Sequence, residues 1–192
     1  MTHRVCPYWV GYLLTNPLRQ LVHNPNGILR PFVEPGMTVV DIGSAMGFFA
    51  LPLAGMVGPH GKVVCVDIQE KMLRSLQKRA SKATVSDRII TRVCMPASLG
   101  LEDLDGMIDF AIAFAVVHEV PDTRSFLADV FHALKPGARC LIVEPKGHVS
   151  EHDFKQTLSI AEQARLRVTG SPTITYCRAA LLSKDLERKT ER

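Results

Sequence analysis

No stretch of this chain stays apolar for long. The longest uninterrupted run, 110–117, has eight residues, far short of the roughly 20 that span a bilayer. The segment 1–9 lacks a basic start leading into an apolar core, so no secretory signal is expected. Cysteine is sparse, as Cys6, Cys65, Cys94, Cys140 and Cys177. The number is odd and no pair has C-x-x-C spacing, which speaks against a disulfide framework or zinc knuckle and for a reducing, cytoplasmic location. Charge of one sign is scarce too: 23 Lys and Arg against 19 Asp and Glu leave a net charge of +4. That balance does not announce nucleic acid, which would need cations gathered on one surface. Lys71, Arg74, Lys78 and Lys82 share a helical face, but no aromatics interleave them, and they read as its solvated side. Internal repeats and low-complexity segments are absent.

The 192 residues, 46% of them hydrophobic and 22% charged, suit one domain with a sizeable core. Short apolar runs alternate with helical patterns. The runs 38–42, 63–67, 89–93, 108–114 and 139–144 read as doubly buried strands, and 174–182 as a final strand. Helices are expected over 46–57, with Pro52 as a blemish near the middle, and over 69–83, with Met72, Leu73, Leu76 and Ala80 as the buried stripe. Two more are expected over 121–134, capped by Asp122, and over 150–165, where Ser150 and Asp153 approach a capping box. The pattern is an α/β fold with a parallel sheet between helices. The residues before it, 1–35, have a different texture and read as a short helical cap, with two helices broken near Asn24-Pro25-Asn26-Gly27. The core is assigned to 36–183 and a polar tail to 184–192, all within one domain.

The most informative stretch is Val39-Val40-Asp41-Ile42-Gly43-Ser44-Ala45-Met46-Gly47. A buried strand enters a small-residue turn and then a helix, so the backbone can approach a ligand and the helix start offers open N–H groups. A dinucleotide fingerprint starting at Gly43 would need glycine at 45 and 48, where Ala45 and Phe48 stand, and no phosphate-loop lysine follows. Asp67 closes the second strand, 20 residues beyond Gly47. An acid there can accept both ribose hydroxyls of an adenosine.

Asp41–Gly47 resembles the D/E-x-G-x-G-x-G first motif of class I methyltransferases that use S-adenosylmethionine, with Ala45 in place of the middle glycine. Val63–Asp67 resembles the second motif, and Leu134-Lys135-Pro136-Gly137 with the strand after it resembles the segment before the fifth strand. Phe114-Ala115-Val116-Val117-His118-Glu119-Val120-Pro121-Asp122 resembles the H-H-V-P-D stretch of the small-molecule, quinone-biosynthesis branch. The resemblance covers about residues 36–182. It implies a doubly wound, Rossmann-like sheet of seven strands, order 3-2-1-4-5-7-6, with strand 7 antiparallel. It also implies S-adenosyl-L-methionine as cofactor, held by Asp41, Gly43, Ser44, Ala45, Gly47, Asp67, Ile68, Cys94, Met95 and Phe114. The family's usual acid at the end of strand 3 is missing; Arg92-Val93-Cys94-Met95-Pro96 stands there, leaving adenine to backbone groups and apolar contact.

Ligands of open α/β sheets lie beyond the carboxyl ends of the strands. His118 and Glu119 follow the fourth strand; Glu144 and His148 follow the fifth. His118, Glu119 and His148 are therefore the candidate catalytic residues, with a histidine suited to deprotonating an acceptor. Tyr8, Trp9 and Glu144 are expected to line the acceptor pocket. No resident metal is expected. The predicted activity is methyl transfer to a small molecule, without nucleic acid or membrane as partner and with a homodimer left open. Two alternatives stand beside it: a cofactor-binding regulatory or partner module without turnover, and, disfavoured by Phe48, a nucleotide-cofactor oxidoreductase.

Overall fold

The computed structural model describes Gly11 and residues 19–185. From Arg19 onward, helices α1 (Arg19–Val22) and α2 (Pro25–Leu29) precede the sheet. Asn24 caps α2, its side chain accepting the N–H groups of Asn26 and Gly27, as a short polar residue before a proline-initiated helix should. The core elements follow in order: β1 (Thr38–Ile42), α3 (Ala50–Val57), β2 (Lys62–Asp67), α4 (Glu70–Lys82), β3 (Ile89–Val93), β4 (Ile108–Phe114), α5 (Thr123–Ala133), β5 (Leu134–Pro145), α6 (Glu151–Gln163), β6 (Leu166–Gly170) and β7 (Cys177–Lys184).

The seven strands form one sheet in the expected order, β3-β2-β1-β4-β5-β7-β6. Pairing is parallel from β3 through β5, and β7 runs antiparallel to both β5 and β6. Both sheet faces are covered, which is why the central strands read as continuous apolar runs. On one face Val40, Ile42, Ala111, Ala113 and Ile142 meet α5 and α6 through Phe126, Leu127, Val130 and Phe154. On the other, Val39, Val63, Phe110, Ile112 and Leu141 meet α3 and α4 through Leu53, Val57, Leu73 and Leu76, with Leu29 of α2 joining them. Phe32 stacks on Phe110 with ring centroids 5.6 Å apart.

The caps at Asp122 and Ser150 are as the sequence predicts. Asp122 accepts the N–H of Arg124, and Ser150 accepts that of Asp153. The helix expected from 46 starts only at Ala50. Ala45 and Gly47 have φ of 45° and 86°, which no right-handed helix tolerates. Pro52 consequently falls in the first turn, where its missing N–H has no intrahelical partner to lose. The strand β6, short and mostly exposed, lacks the apolar run that marked the others. Among the described residues no helix is long and apolar enough to cross a membrane.

Candidate active site

A cavity of about 340 Å³ opens at the carboxyl ends of β1, β2 and β4, the edge where chain reversal leaves a crevice. Asp41, Gly43, Ser44, Ala45, Asp67, Ile68, Cys94, Met95 and Phe114 all line it. Gly47 does not. Its role is in the turn, where its N–H donates to the Ser44 carbonyl at 2.9 Å and its φ is 86°.

The turn between β1 and α3 is pinned to β2. The N–H groups of Gly43 and Ser44 both donate to the Val66 carbonyl, at 2.8 and 3.1 Å. Ala45 N–H donates to Asp67 Oδ2 at 2.8 Å, and Gln69 N–H donates to Asp67 Oδ1 at 2.8 Å. The open donors expected from the sequence are therefore engaged at 43, 44, 45 and 47, because Val66, Asp67 and Ser44 lie within reach. What the turn offers is shape. Gly43 has φ of 72°, and a Cβ there would stand 2.8 Å from Val116 Cγ2 in the loop after β4, so only glycine fits. Ala45 takes a left-handed conformation despite its methyl group. Each Asp67 oxygen keeps a second lone-pair direction, and burial pushes this carboxyl above its ordinary range against those two hydrogen bonds.

Asp41 lies deeper, 2% exposed, and its Oδ2 has no hydrogen-bond partner. Burial and the Asp67 charge raise it to about 7, while the backbone N–H of Ala50 at the start of α3 and the Arg19 charge oppose them. Arg19 itself reaches the cavity from α1. Its guanidinium lies 4.2 Å from the Phe48 ring centroid and 5.4 Å from that of Phe114. Nothing in the sequence marks Arg19, which sits in a segment without a motif. Asp129 of α5 is a second lining residue the sequence does not flag; its carboxylate accepts the Leu99 N–H at 2.8 Å and holds the loop after β3. Arg92, at the position where an acid was missing, is bound to Asp103 and to the Gly100 carbonyl.

Beside the cavity stands a second cluster. Glu144, buried at the end of β5, accepts the Val117 N–H through Oε1 at 2.8 Å and contacts His118 Nδ1 through Oε2 at 2.5 Å. A carboxylate only accepts, so His118 donates through Nδ1 and its lone pair sits on Nε2. That bond, more than the burial opposing it, holds His118 above the usual imidazole range. His148 Nδ1 lies 3.4 Å from His118 Nε2. Of the polar residues predicted here, Glu119 lines the cavity; His118, Glu144 and His148 adjoin it without lining it. Glu144, expected on the pocket wall, instead braces His118 from beneath, because both its oxygens are engaged there. Tyr8 and Trp9 lie outside the described residues. Among the described residues no group of three or more His, Cys, Asp or Glu side chains could hold a metal.

Residues 33–185 match the family described as a methyltransferase domain. The chain belongs to the class I S-adenosylmethionine-dependent methyltransferases. Relatives of this methyltransferase include an arsenite methyltransferase of Halobacterium salinarum, 30% identical over 57% of this chain and 27% of its own length. A demethylmenaquinone methyltransferase of Symbiobacterium thermophilum is 31% identical over 61% of this chain and 46% of its own. The chain thus spans under half the length of both. Its fold is shared with the crystal structure of an S-adenosylmethionine-dependent methyltransferase from Aquifex aeolicus, with a TM-score of 0.84, 24% identity, and coverage of 94% of this chain and 100% of that one.

The family's cofactor is S-adenosyl-L-methionine, and the cavity fits it. A small-residue turn on the cavity wall, the Asp67 carboxylate with acceptor directions open for hydroxyl groups, and the orphaned buried acceptor at Asp41 are features that suit such a ligand. Among the described residues, acids outnumber cations on the lining, with Asp41, Asp67, Glu119, Asp122 and Asp129 against Arg19, which suits a sulfonium.

Proposed function

We propose that this methyltransferase transfers the methyl group of S-adenosylmethionine to a small-molecule acceptor, deprotonated by His118. The observation that carries the acceptor half of this reading is the Glu144–His118–His148 cluster at the ends of two neighbouring strands, adjoining a cavity already suited to the donor. S-adenosylmethionine supplies an electrophilic methyl group on a cationic sulfur. The chain's own task is to hold donor and acceptor in line, which alone accounts for much of the acceleration in such displacements. Asp67 anchors the ribose; Phe48, Phe49, Met72 and Phe114 provide apolar wall. Glu144 fixes the His118 tautomer so that Nε2 takes the acceptor's proton, and the exposed His148, 3.4 Å from that nitrogen, relays it to solvent once the acceptor has left. Gly11 of the N-terminal segment lies against Met46 and Met72, both of which line the cavity, which supports an acceptor site closed from that side. The relatives' names supply a range of small acceptors, arsenite and a demethylated quinone among them.

A second base is Glu119, favoured by its place on the cavity lining itself. Turnover of tritiated S-adenosylmethionine against a panel of hydroxylated and acidic-carbon small molecules separates the two. His118→Ala should lower kcat by roughly 10²–10⁴ if His118 is the base, with donor affinity unchanged, while Glu119→Gln stays within a few fold. The reverse pattern makes Glu119 the base. Sustained donor binding with no transfer to any acceptor would favour the non-catalytic binding module.

A further inference from the structure

His118 and His148 sit on turns that the backbone fixes. Residues Val117–Glu119 form one tight turn, in which the Glu119 N–H donates to the Val116 carbonyl at 3.0 Å while Glu144 accepts the Val117 N–H. His148 lies in the loop after β5, where its own N–H and that of Val149 both donate to the Pro145 carbonyl at 3.0 Å. The two rings meet at 78°, and His118 Nε2 and His148 Nδ1 stand 3.4 Å apart. That is long for a hydrogen bond. It is the separation of two nitrogens on one tetrahedral zinc ion, about 3.3–3.4 Å when each lies about 2.0–2.1 Å from the metal. The Glu144–His118 contact suits the same ion. A histidine that ligates a metal through one nitrogen commonly donates its other N–H to a carboxylate, which fixes the tautomer and raises the ligand's basicity. The His118 side chain is 23% exposed and His148 is exposed, so an ion reaches both from solvent. The charge of Glu119 also acts on His118, which favours a cation there.

We propose that His118 Nε2 and His148 Nδ1 form a two-ligand zinc site, and that the bound ion silences the enzyme. Water fills the remaining coordination positions, so the ion is held less firmly than a resident structural metal with four protein ligands. It occupies the lone pair that takes the acceptor's proton and the nitrogen that relays it. The silencing rests on the reading of His118 as the base; the site itself does not. Imidazole ligands suit zinc, copper and nickel. Magnesium, which demands oxygen ligands, should neither bind the pair nor inhibit.

Calorimetric titration of zinc chloride into tag-free protein, without donor or acceptor, tests the site. One ion should bind per chain. His118→Ala and His148→Ala should each weaken it by about tenfold or more, and Glu144→Gln by roughly 10–100-fold. Exposed His60, before β2 at the opposite edge of the sheet, is the control, and His60→Ala should change nothing. Cobalt in place of zinc should give the intense visible absorption of a tetrahedral site, lost in His148→Ala, whose exposed position keeps the test open if the His118 variant does not fold. Turnover should fall with added zinc at the concentration that fills the site, and recover with a chelator. The site is overturned if wild-type protein binds no zinc, or if both histidine variants bind it as tightly as wild type; turnover that still depends on His118 would then leave the base reading intact. Zinc bound at the pair with turnover undiminished overturns the silencing, and His118 as the base with it.

Discussion

Ala45 sits at φ of 45°, where an alanine costs about 1–2 kcal/mol relative to glycine. The position is held there because its N–H is drawn onto Asp67. Ala45→Gly relieves the strain but frees the unfolded chain by about 0.4–1 kcal/mol, so the net gain should be modest, a Tm rise of about 1–3 °C. Differential scanning calorimetry reads it, and donor affinity should stay the same because the backbone donor remains. Asp41 carries the opposite balance. Its folded value of about 7 stands above the ordinary 3.8, so between these the folded protein keeps a proton that the unfolded chain has released. Stability contributed by this group is therefore lost as pH rises through that window. Asp41→Asn should raise Tm at pH 8, leave it nearly unchanged at pH 4, and weaken S-adenosylhomocysteine throughout. A Tm at pH 8 equal to or below wild type would show that burying this charge is not a liability.

At the scale of elements, the decisive junction lies between the loop after β4 and the end of β5. Parallel register brings Phe114 opposite Val143, which carries the residues that follow each strand to one edge. Glu144 then ties the loop by bonding both Val117 and His118. Because that carboxylate is the main reason His118 titrates high, Glu144→Gln should lower its pKa. For a base that must be neutral, the acid limb of kcat/KM against pH should move to lower pH, while kcat on the alkaline plateau falls. An unmoved acid limb would mean that His118 is not the group titrating in turnover. The β1–α3 turn is the other junction. Val116 occupies the space that a Cβ on Gly43 would need, so the loops after β1 and β4 pack directly against each other at the cavity floor.

For the whole molecule, the strands and the glycine-turn side of the cavity were legible because they rest on local signals, whereas the sheet order was implied only by the resemblance to the family. Buried parallel strands appear as apolar runs, and Gly43 with Asp67 occupies a spacing set by one βαβ unit. Arg19 and Asp129 were not legible, since each reaches the cavity only through packing between elements distant in sequence. The late start of α3 was hidden because Ala45 has no propensity for the conformation that its hydrogen bond to Asp67 imposes. The roles of Glu144 and His118 were half legible: strand adjacency brought them together, but not which oxygen would brace which nitrogen. The proposed chemistry depends on the donor occupying the cavity at the ends of β1 and β2. The direct measurement is calorimetric titration of S-adenosylmethionine into wild-type protein and Asp67→Ala. One molecule should bind per chain, with affinity reduced roughly 10–100-fold in the variant through loss of the ribose contacts. No heat from wild-type protein at high micromolar ligand, or equal affinity in the two proteins, would contradict the account.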